Sequence, residues 1–232
     1  MTSILSTGPT VGLVVAAGAG ERLTAGGPKA FVMLAGEPLL VHAVRALGRS
    51  AAVTEVVLVV SPGLLERAAD ALGQAGLGPL AVVQGGATRQ ESVGFGLAAC
   101  PPDTEVVAVH DAARPLVTAD LVTRTIEALV DPWVAVAPGL PVVDTVKSLD
   151  GEGVRTVDRR GLWVVQTPQV FSLQTLRRLH EGLEGPVTDD LVLVEREGGA
   201  VRLIEGDRRN FKVTYPEDLA MAEALFTTGH RR

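Results

Sequence analysis

A lysine and an arginine flank a glycine-rich loop of the kind that can hold a polyanion. Lysine is scarce: of 21 basic residues only Lys29, Lys147 and Lys212 are lysines, and the rest are arginines. In a chain so inclined to arginine, a retained lysine hints at a place that suits a compact ammonium better than a wide, planar guanidinium. The stretch VGLVVAAGAGERLTAGGPK runs from Val11 to Lys29, and its apolar run Val11 to Ala17 passes directly into Gly18-Ala19-Gly20-Glu21-Arg22. Glycine at the C-terminal end of a buried strand lets backbone N–H groups approach a phosphate closely. Arg22 and Lys29 add two cations beside that loop, which together make a polyphosphate cradle. The alternative is a plain turn from strand to helix. Neither common phosphate fingerprint is met: Gly18 and Gly20 open the dinucleotide pattern, but its third glycine position is Leu23, and no Gly-Lys pair of the P-loop kind occurs.

A second glycine pair, Gly85-Gly86, precedes Thr88 and Glu91, whose spacing fits a capping box at a helix start. This is either a second loop lining a nucleotide pocket, with Ser92 as a hydrogen-bond partner for a base, or simply a helix cap. Asp111 follows the apolar run Glu105 to His110. Ligand chemistry in open α/β sheets gathers just past the ends of parallel strands, and a carboxylate there can share in holding Mg²⁺, which also takes water and phosphate oxygens. The other reading of Asp111 is a turn residue paired with Arg114. His110 reads as a structural histidine.

The elements that must position these groups are legible as apolar runs. Strands are expected at Val11 to Ala17, Glu55 to Val60, Ala81 to Gln84, Glu105 to His110, Trp133 to Ala137, Leu162 to Gln166 and Val201 to Glu205. Helices are expected at Pro38 to Leu47, from Ser61-Pro62 onward, from Thr88 to Ala99, from Ser172 to about Leu183, from Thr188-Asp189-Asp190, and from a Thr214/Glu217 capping box to about Phe226. The alternation predicts an α/β fold, a doubly wound, mostly parallel Rossmann-like sheet flanked by helices. It is broken at about residues 140–160, where two short strands around Asp150-Gly-Glu-Gly153 read as a protruding β-hairpin arm. Projecting strands leave unpaired edges that call for a partner, so the arm is expected to pack on a second copy of the chain. No linker or repeat divides residues 1–232, which are expected to form a single domain carrying the arm.

Composition sets further bounds. Apolar residues make up 47% of the chain and aromatics only 3%, so the core must rest on Val, Leu and Ala, as suits a helix-covered sheet. The one cysteine, Cys100, excludes an internal disulfide framework. His42, His110, His180 and His230 are scattered without zinc-ligand spacing. No apolar run reaches the roughly 18 residues of a membrane span and no secretory signal is evident, so a cytoplasmic protein with no membrane partner is expected. A net charge of −6 argues against nucleic-acid binding.

The N-terminal signature AAGAGER, PKAF and LAGEPLL resembles that of nucleotidyltransferases that join a sugar or polyol phosphate to a nucleotide. GGATRQESV, VHDAARP, PVVDTVK, TVDRRGLW, QTPQVF, VTDD and NFKVTYPEDL follow in order. Together they resemble the 2-C-methyl-D-erythritol 4-phosphate cytidylyltransferase family of the non-mevalonate isoprenoid pathway, from about residue 11 to 226. By this resemblance Ala16, Ala17, Gly18 and Gly20 would surround the CTP phosphates and ribose, and Arg22, Lys29 and Lys212 would be catalytic and hold the triphosphate. Gly86 and Ser92 would contact cytosine. Asp111 would lie near the metal, Mg²⁺ or another divalent cation, and near the ribose and incoming phosphate. Arg114, Thr167 and Asp189 would line the methylerythritol phosphate pocket, and Thr145 and Arg159 on the arm would reach the substrate of the partner in a homodimer. Two departures stand out: Ala87 and Arg209 occupy positions where family members often have acidic residues, although Asp207 lies close to the second.

Three alternatives are weighed against this. A ribitol 5-phosphate cytidylyltransferase would use the same fold and chemistry on another short polyol phosphate; TVDRRGLW on the arm leans toward methylerythritol phosphate. A dehydrogenase is disfavoured by Leu23. A catalytically inactive nucleotide-binding regulatory protein is disfavoured because Arg22, Lys29, Asp111 and Lys212 are all present.

Overall fold

The first apolar run forms β1 (Thr10–Ala16), an interior strand of the main sheet in this computed structural model, which describes residues 8–18, 23, 27–77, 81–151, 153–181, 187 and 189–229. A 3₁₀ turn at Lys29–Phe31 and the small pair β2 (Met33–Leu34) and β3 (Glu37–Pro38) lead into α1 (Leu39–Gly48). There follow β4 (Glu55–Val60), α2 (Leu65–Gln74), β5 (Ala81–Gln84), α3 (Arg89–Ala98), β6 (Val106–Asp111), α4 (Ala119–Glu127) and β7 (Ala135–Pro141). Then come β8 (Val146–Leu149), β9 (Val154–Val157), β10 (Trp163–Val165), β11 (Gln169–Ser172), α5 (Leu173–Glu181), α6 (Leu191–Arg196), β12 (Val201–Glu205) and α7 (Pro216–Gly229).

The order across the main sheet is β10-β7-β11-β6-β1-β4-β5, with β12 also on β7. Strands β5, β4, β1 and β6 are parallel to one another, so the expected mostly parallel sheet is present. From β1 the chain builds outward through β4 to β5 and then returns to place β6 on the other side of β1. That reversal is the topological switch point, where an open α/β sheet leaves a crevice at its carboxyl end. The register pairs Val15 with both Val59 and Asp111, so the strand ends that bound the crevice are level.

Side chains alternate across the sheet. Val11, Leu13, Val57, Val59, Val107 and Val109 pack beneath α3, α5 and α6. Val14, Ala16, Val56, Leu58 and Val60 face the other way, against α1, α2 and α4. With few aromatics available, both layers rest on branched aliphatics, as the composition requires. Among the described residues no helix is long and apolar enough to cross a membrane.

Two expectations are corrected, and two elements are present that the sequence did not indicate. Helix α2 starts at Leu65, not at Pro62, because Gly63 has φ of +78°, off the right-handed helical path. The Ser61 hydroxyl, freed from capping, donates to the Ala17 carbonyl at 3.0 Å and ties the end of β4 to the first loop. At the C-terminal helix, Asp218 takes the place expected of Glu217, accepting from the Thr214 and Tyr215 N–H groups at 2.7 and 2.8 Å, because α7 starts at Pro216 and makes Asp218 its third residue. Strand β11 has no counterpart among the expected elements. It runs antiparallel between β6 and β7 with Val170 and Phe171 fully buried. Helix α4 was likewise not assigned from the sequence.

Between β7 and β10, strands β8 and β9 form an antiparallel two-stranded sheet of their own. Lys147, the lysine outside the cradle, donates to Thr156 across this pair at 2.6 Å. Leu149 and Val154 at its end are exposed, and so are Val143, Leu162, Trp163 and Val164 at its base.

Candidate active site

At the crevice between β1 and β6 lies a cavity of about 330 Å³. Its walls come from three strand ends: Ala16, Ala17 and Gly18 at the end of β1, Ala87 and Thr88 after β5, and Asp111, Ala112 and Ala113 at the end of β6. Lys29, Arg89, Ser92 and Lys212 also line it. Of the three lysines, two therefore face one space.

The second wall is built by the expected capping box. Thr88 Oγ1 accepts from the Glu91 N–H at 3.1 Å, and Glu91 Oε2 accepts from the N–H groups of Ala87 and Thr88 at 2.6 and 3.3 Å. This box directs the N-terminus of α3, with its partial positive charge, toward the cavity. Gly85 lets the wall close: a Cβ there would sit 2.7 Å from both Ala17 Cβ and Ser92 Oγ. The buried Ser92 hydroxyl donates to the Thr88 carbonyl at 2.8 Å and accepts from the Gly86 N–H at 3.1 Å.

Asp111 is the acidic centre. Its Oδ2 accepts from Lys212 Nζ at 2.7 Å, and its Oδ1 lies 3.6 Å from Arg89 Nε. Burial pushes the carboxyl toward its neutral form, but Lys212 and Arg89, with a smaller contribution from Arg114, hold it well below the usual carboxylate range. Asp111 is thus ionised and matched by cations, a group ready to exchange one positive partner for another.

Below the cavity floor, polar groups fix the β6 end. Thr167 Oγ1 accepts from the Asp111 N–H at 3.1 Å and donates to His110 Nδ1 at 3.0 Å, while His110 Nε2 donates to the Arg114 carbonyl at 3.2 Å. In the neutral imidazole the carbonyl partner at Nε2 places the proton there, leaving Nδ1 to accept from Thr167. Burial holds His110 at a pKa of about 4, against 6.5 ordinarily. The structural reading of His110 thus accords with its setting.

The remaining candidates divide. Arg114 donates to the carbonyls of Asn210 at 2.8 Å and Val165 at 3.4 Å, and its buried Nε has no hydrogen-bond partner among the described residues. Asp189 accepts from Gln169 Nε2 at 3.1 Å and from the Val192 N–H at 3.2 Å at the start of α6. Neither they nor Thr167 line the cavity. Thr145 and Arg159 belong to the arm, where Arg159 donates to the Val143 carbonyl. Gly20 and Arg22 lie outside the described residues. Of the two departures, Ala87 lines the cavity, and Arg209 is exposed and donates to the Leu225 carbonyl at 3.3 Å. Asp207 accepts from the Arg209 N–H at 2.8 Å and does not line the cavity.

The sequence model of the 2-C-methyl-D-erythritol 4-phosphate cytidylyltransferase family matches residues 10–228. The chain belongs to this family. A family member from Streptomyces avermitilis is 46% identical over 227 residues, covering 93% of this chain and 91% of that protein. One from Rhodococcus jostii is 45% identical and covers 96% and 97%. Among solved structures, the 2-C-methyl-D-erythritol 4-phosphate cytidylyltransferase from Thermus thermophilus is 38% identical with a TM-score of 0.74 over 93% of this chain and 98% of that one. The 4-diphosphocytidyl-2C-methyl-D-erythritol synthase from Anaerococcus prevotii is 28% identical with a TM-score of 0.84, covering 97% and 98%.

Sequence reasoning passed over one charged residue that lines the cavity, Arg89. The signal available was its place: the first residue of a capped helix, three positions past Gly86, inside a loop already read as lining a nucleotide pocket.

The neutral state of His110 has a consequence for stability. Its pKa is lower folded than unfolded, so its contribution is fully present above pH 6.5 and is lost as pH falls toward 4, by up to about 3 kcal/mol. Urea unfolding across that range should show wild type losing more stability than His110→Gln; parallel losses would remove His110 as the cause.

Proposed function

We infer that the chain transfers the cytidylyl group of CTP to 2-C-methyl-D-erythritol 4-phosphate, giving 4-diphosphocytidyl-2-C-methyl-D-erythritol and pyrophosphate. The observation that carries this reading is the cavity at the β1/β6 switch point, lined by Lys29 and by one ionised aspartate, Asp111, with Lys212 and Arg89 beside it, in a chain matched to the family over residues 10–228.

A phosphate oxygen of the acceptor attacks the α-phosphorus of CTP in line, and pyrophosphate leaves. The reacting partners are both anions, so catalysis consists of positioning and charge stabilisation, with no covalent enzyme intermediate. Lys29, Lys212 and Arg22 take the triphosphate; Ala16, Ala17, Gly18 and Gly20 surround the phosphates and ribose. Ser92 oxygen retains a lone pair beyond its two hydrogen bonds, which suits the amino group of cytosine beside Gly86. Arg114, Thr167 and Asp189 frame the acceptor side.

Among the described residues no three His, Cys, Asp or Glu side chains meet in a protein-only metal site. The donor set still fits Mg²⁺, which is commonly bound by one or two carboxylates with substrate phosphates and water, and Asp111 would be its protein ligand. When bound, Mg²⁺ neutralises triphosphate charge. The exposed apolar side chains of the arm and its base, Leu149, Val154, Trp163 and Val164, together with the free edges of a two-stranded sheet, support a homodimer in which Thr145 and Arg159 serve the partner's acceptor site.

The reading is tested by pyrophosphate release from CTP and Mg²⁺ with methylerythritol 4-phosphate and ribitol 5-phosphate offered in parallel. Release with the first is expected; release with ribitol phosphate alone overturns the acceptor assignment. In the same assay Lys29→Ala should lower kcat by roughly 10²–10³, the cost of losing one preorganised electrostatic partner, and a near-normal kcat would remove Lys29 from the mechanism. Arg159→Ala should raise KM for the acceptor by about tenfold, as for a lost charged hydrogen bond, whereas an unchanged KM would count against the arm's role.

A further inference from the structure

Lys212 has two claims on it. The proposed function assigns it to the CTP triphosphate, yet its ammonium is bonded to Asp111 at 2.7 Å. Handing Lys212 to a substrate would leave Asp111, whose side chain is only 14% exposed, with its charge unmatched, and an uncompensated buried carboxylate is costly. Unless a metal ion is already bound there, a second cation must stay behind, and Arg89 is in that place, with Arg114 contributing less.

Arg89 is held from the other side. Its Nη1 donates to Asp190 Oδ2 at 2.7 Å, and Asp190 is wholly buried. Asp190 Oδ1 in turn pairs with His180 Nε2 at 3.0 Å, and the Asp190 N–H donates to Gln169 Oε1 at 3.3 Å. Next along α3, Gln90 Nε2 donates to the Val187 carbonyl at 2.9 Å, so the start of the helix is tied to the 187–190 segment at two points. Burial would loosen the proton on Arg89, but the carboxylates of Asp190 and Asp111 more than offset that, so Arg89 remains a cation. The result is a row of alternating charge, Lys212, Asp111, Arg89 and Asp190, with the His180 ring hydrogen-bonded to its buried end. Arg89 makes its tight contact, 2.7 Å, with Asp190 and its loose one, 3.6 Å, with Asp111.

We propose that Arg89, anchored by Asp190, is a positioning residue that keeps Asp111 charge-matched and in place while Lys212 moves to the triphosphate. Arg89 acts through Asp111. The anchoring explains why a guanidinium serves here: one edge is fixed by Asp190 while another N–H faces Asp111, which a single ammonium reaches less readily. No covalent step is involved. The inference rests on the reading of the cavity as a CTP site.

The test compares wild type with Arg89→Gln, Arg89→Lys and Asp190→Asn. The first readout is CTP affinity by calorimetric titration without acceptor or divalent cation. The second is kcat and both KM values in the pyrophosphate assay. Arg89→Gln should weaken CTP binding by about tenfold, as expected for a lost charge-assisted contact, because Lys212 is then retained by Asp111. Arg89→Lys should restore part of the loss. Asp190→Asn should act in the same direction, and the Arg89→Gln/Asp190→Asn double variant should be no worse than the poorer single one, since the two residues work as a unit. CTP affinity and KM values within about twofold of wild type in a folded Arg89→Gln protein would overturn the proposal. So would a loss of thermal stability alone in all three variants. If wild type binds CTP but uses no methylerythritol phosphate, the acceptor reading fails and the titration still decides the role of Arg89.

Discussion

A single ionised carboxylate, Asp111, lies at the end of β6 with only a small part of its side chain in contact with solvent. Such a group is stable only when matched, and its partners come from far apart in the chain. Lys212 approaches from the segment before α7, Arg89 from the start of α3, and Thr167 fixes the Asp111 backbone from the turn before β11. The need to satisfy one charge thus gathers three segments at the crevice. Strand register sets where that crevice lies, because Val15 of β1 stands level with Asp111.

The same arrangement accounts for how an acidic protein binds anionic substrates. The overall charge of −6 is irrelevant at short range. In the proposed site, what would act on a triphosphate is the local surplus of Lys29, Lys212 and Arg89 over Asp111 and Asp190, reinforced by the N-terminus of α3. His110 takes no part in that surplus. Its neutral ring is enclosed and serves to orient Thr167.

Much of the fold was legible because buried parallel strands are written as uninterrupted apolar runs. Glu55–Val60, Ala81–Gln84 and Val201–Glu205 appear in the structure with the bounds the sequence indicates. Strand β11 was hidden: Gln169-Val-Phe-Ser172 is short, lacks a long apolar run and follows a proline, and it becomes a strand because β6 and β7 flank it. The helix starts at Ser61 and Thr214 were misplaced by residues whose influence lies in backbone geometry, Gly63 in one case and the late start at Pro216 in the other. At the site, Lys29 and Asp111 could be picked out by type and spacing, and Lys212 by the resemblance of its motif to the family. Arg89 could not be weighed from sequence because its role depends on Asp190, which lies 101 positions away. The hydroxyl of Thr167 is likewise engaged by His110 and Asp111 across the sheet, a relation that local pattern does not encode.

The central claim is that the charge of Asp111, and not merely its presence in the fold, organises the cations for cytidylyl transfer. Asp111→Asn keeps the shape and removes the charge. The most direct measurement is its kcat for pyrophosphate release, taken beside a thermal melt. A fall of about 10² or more with the melt little changed is the predicted result, in line with the loss of one preorganised electrostatic group. A kcat within a few-fold of wild type would contradict the account.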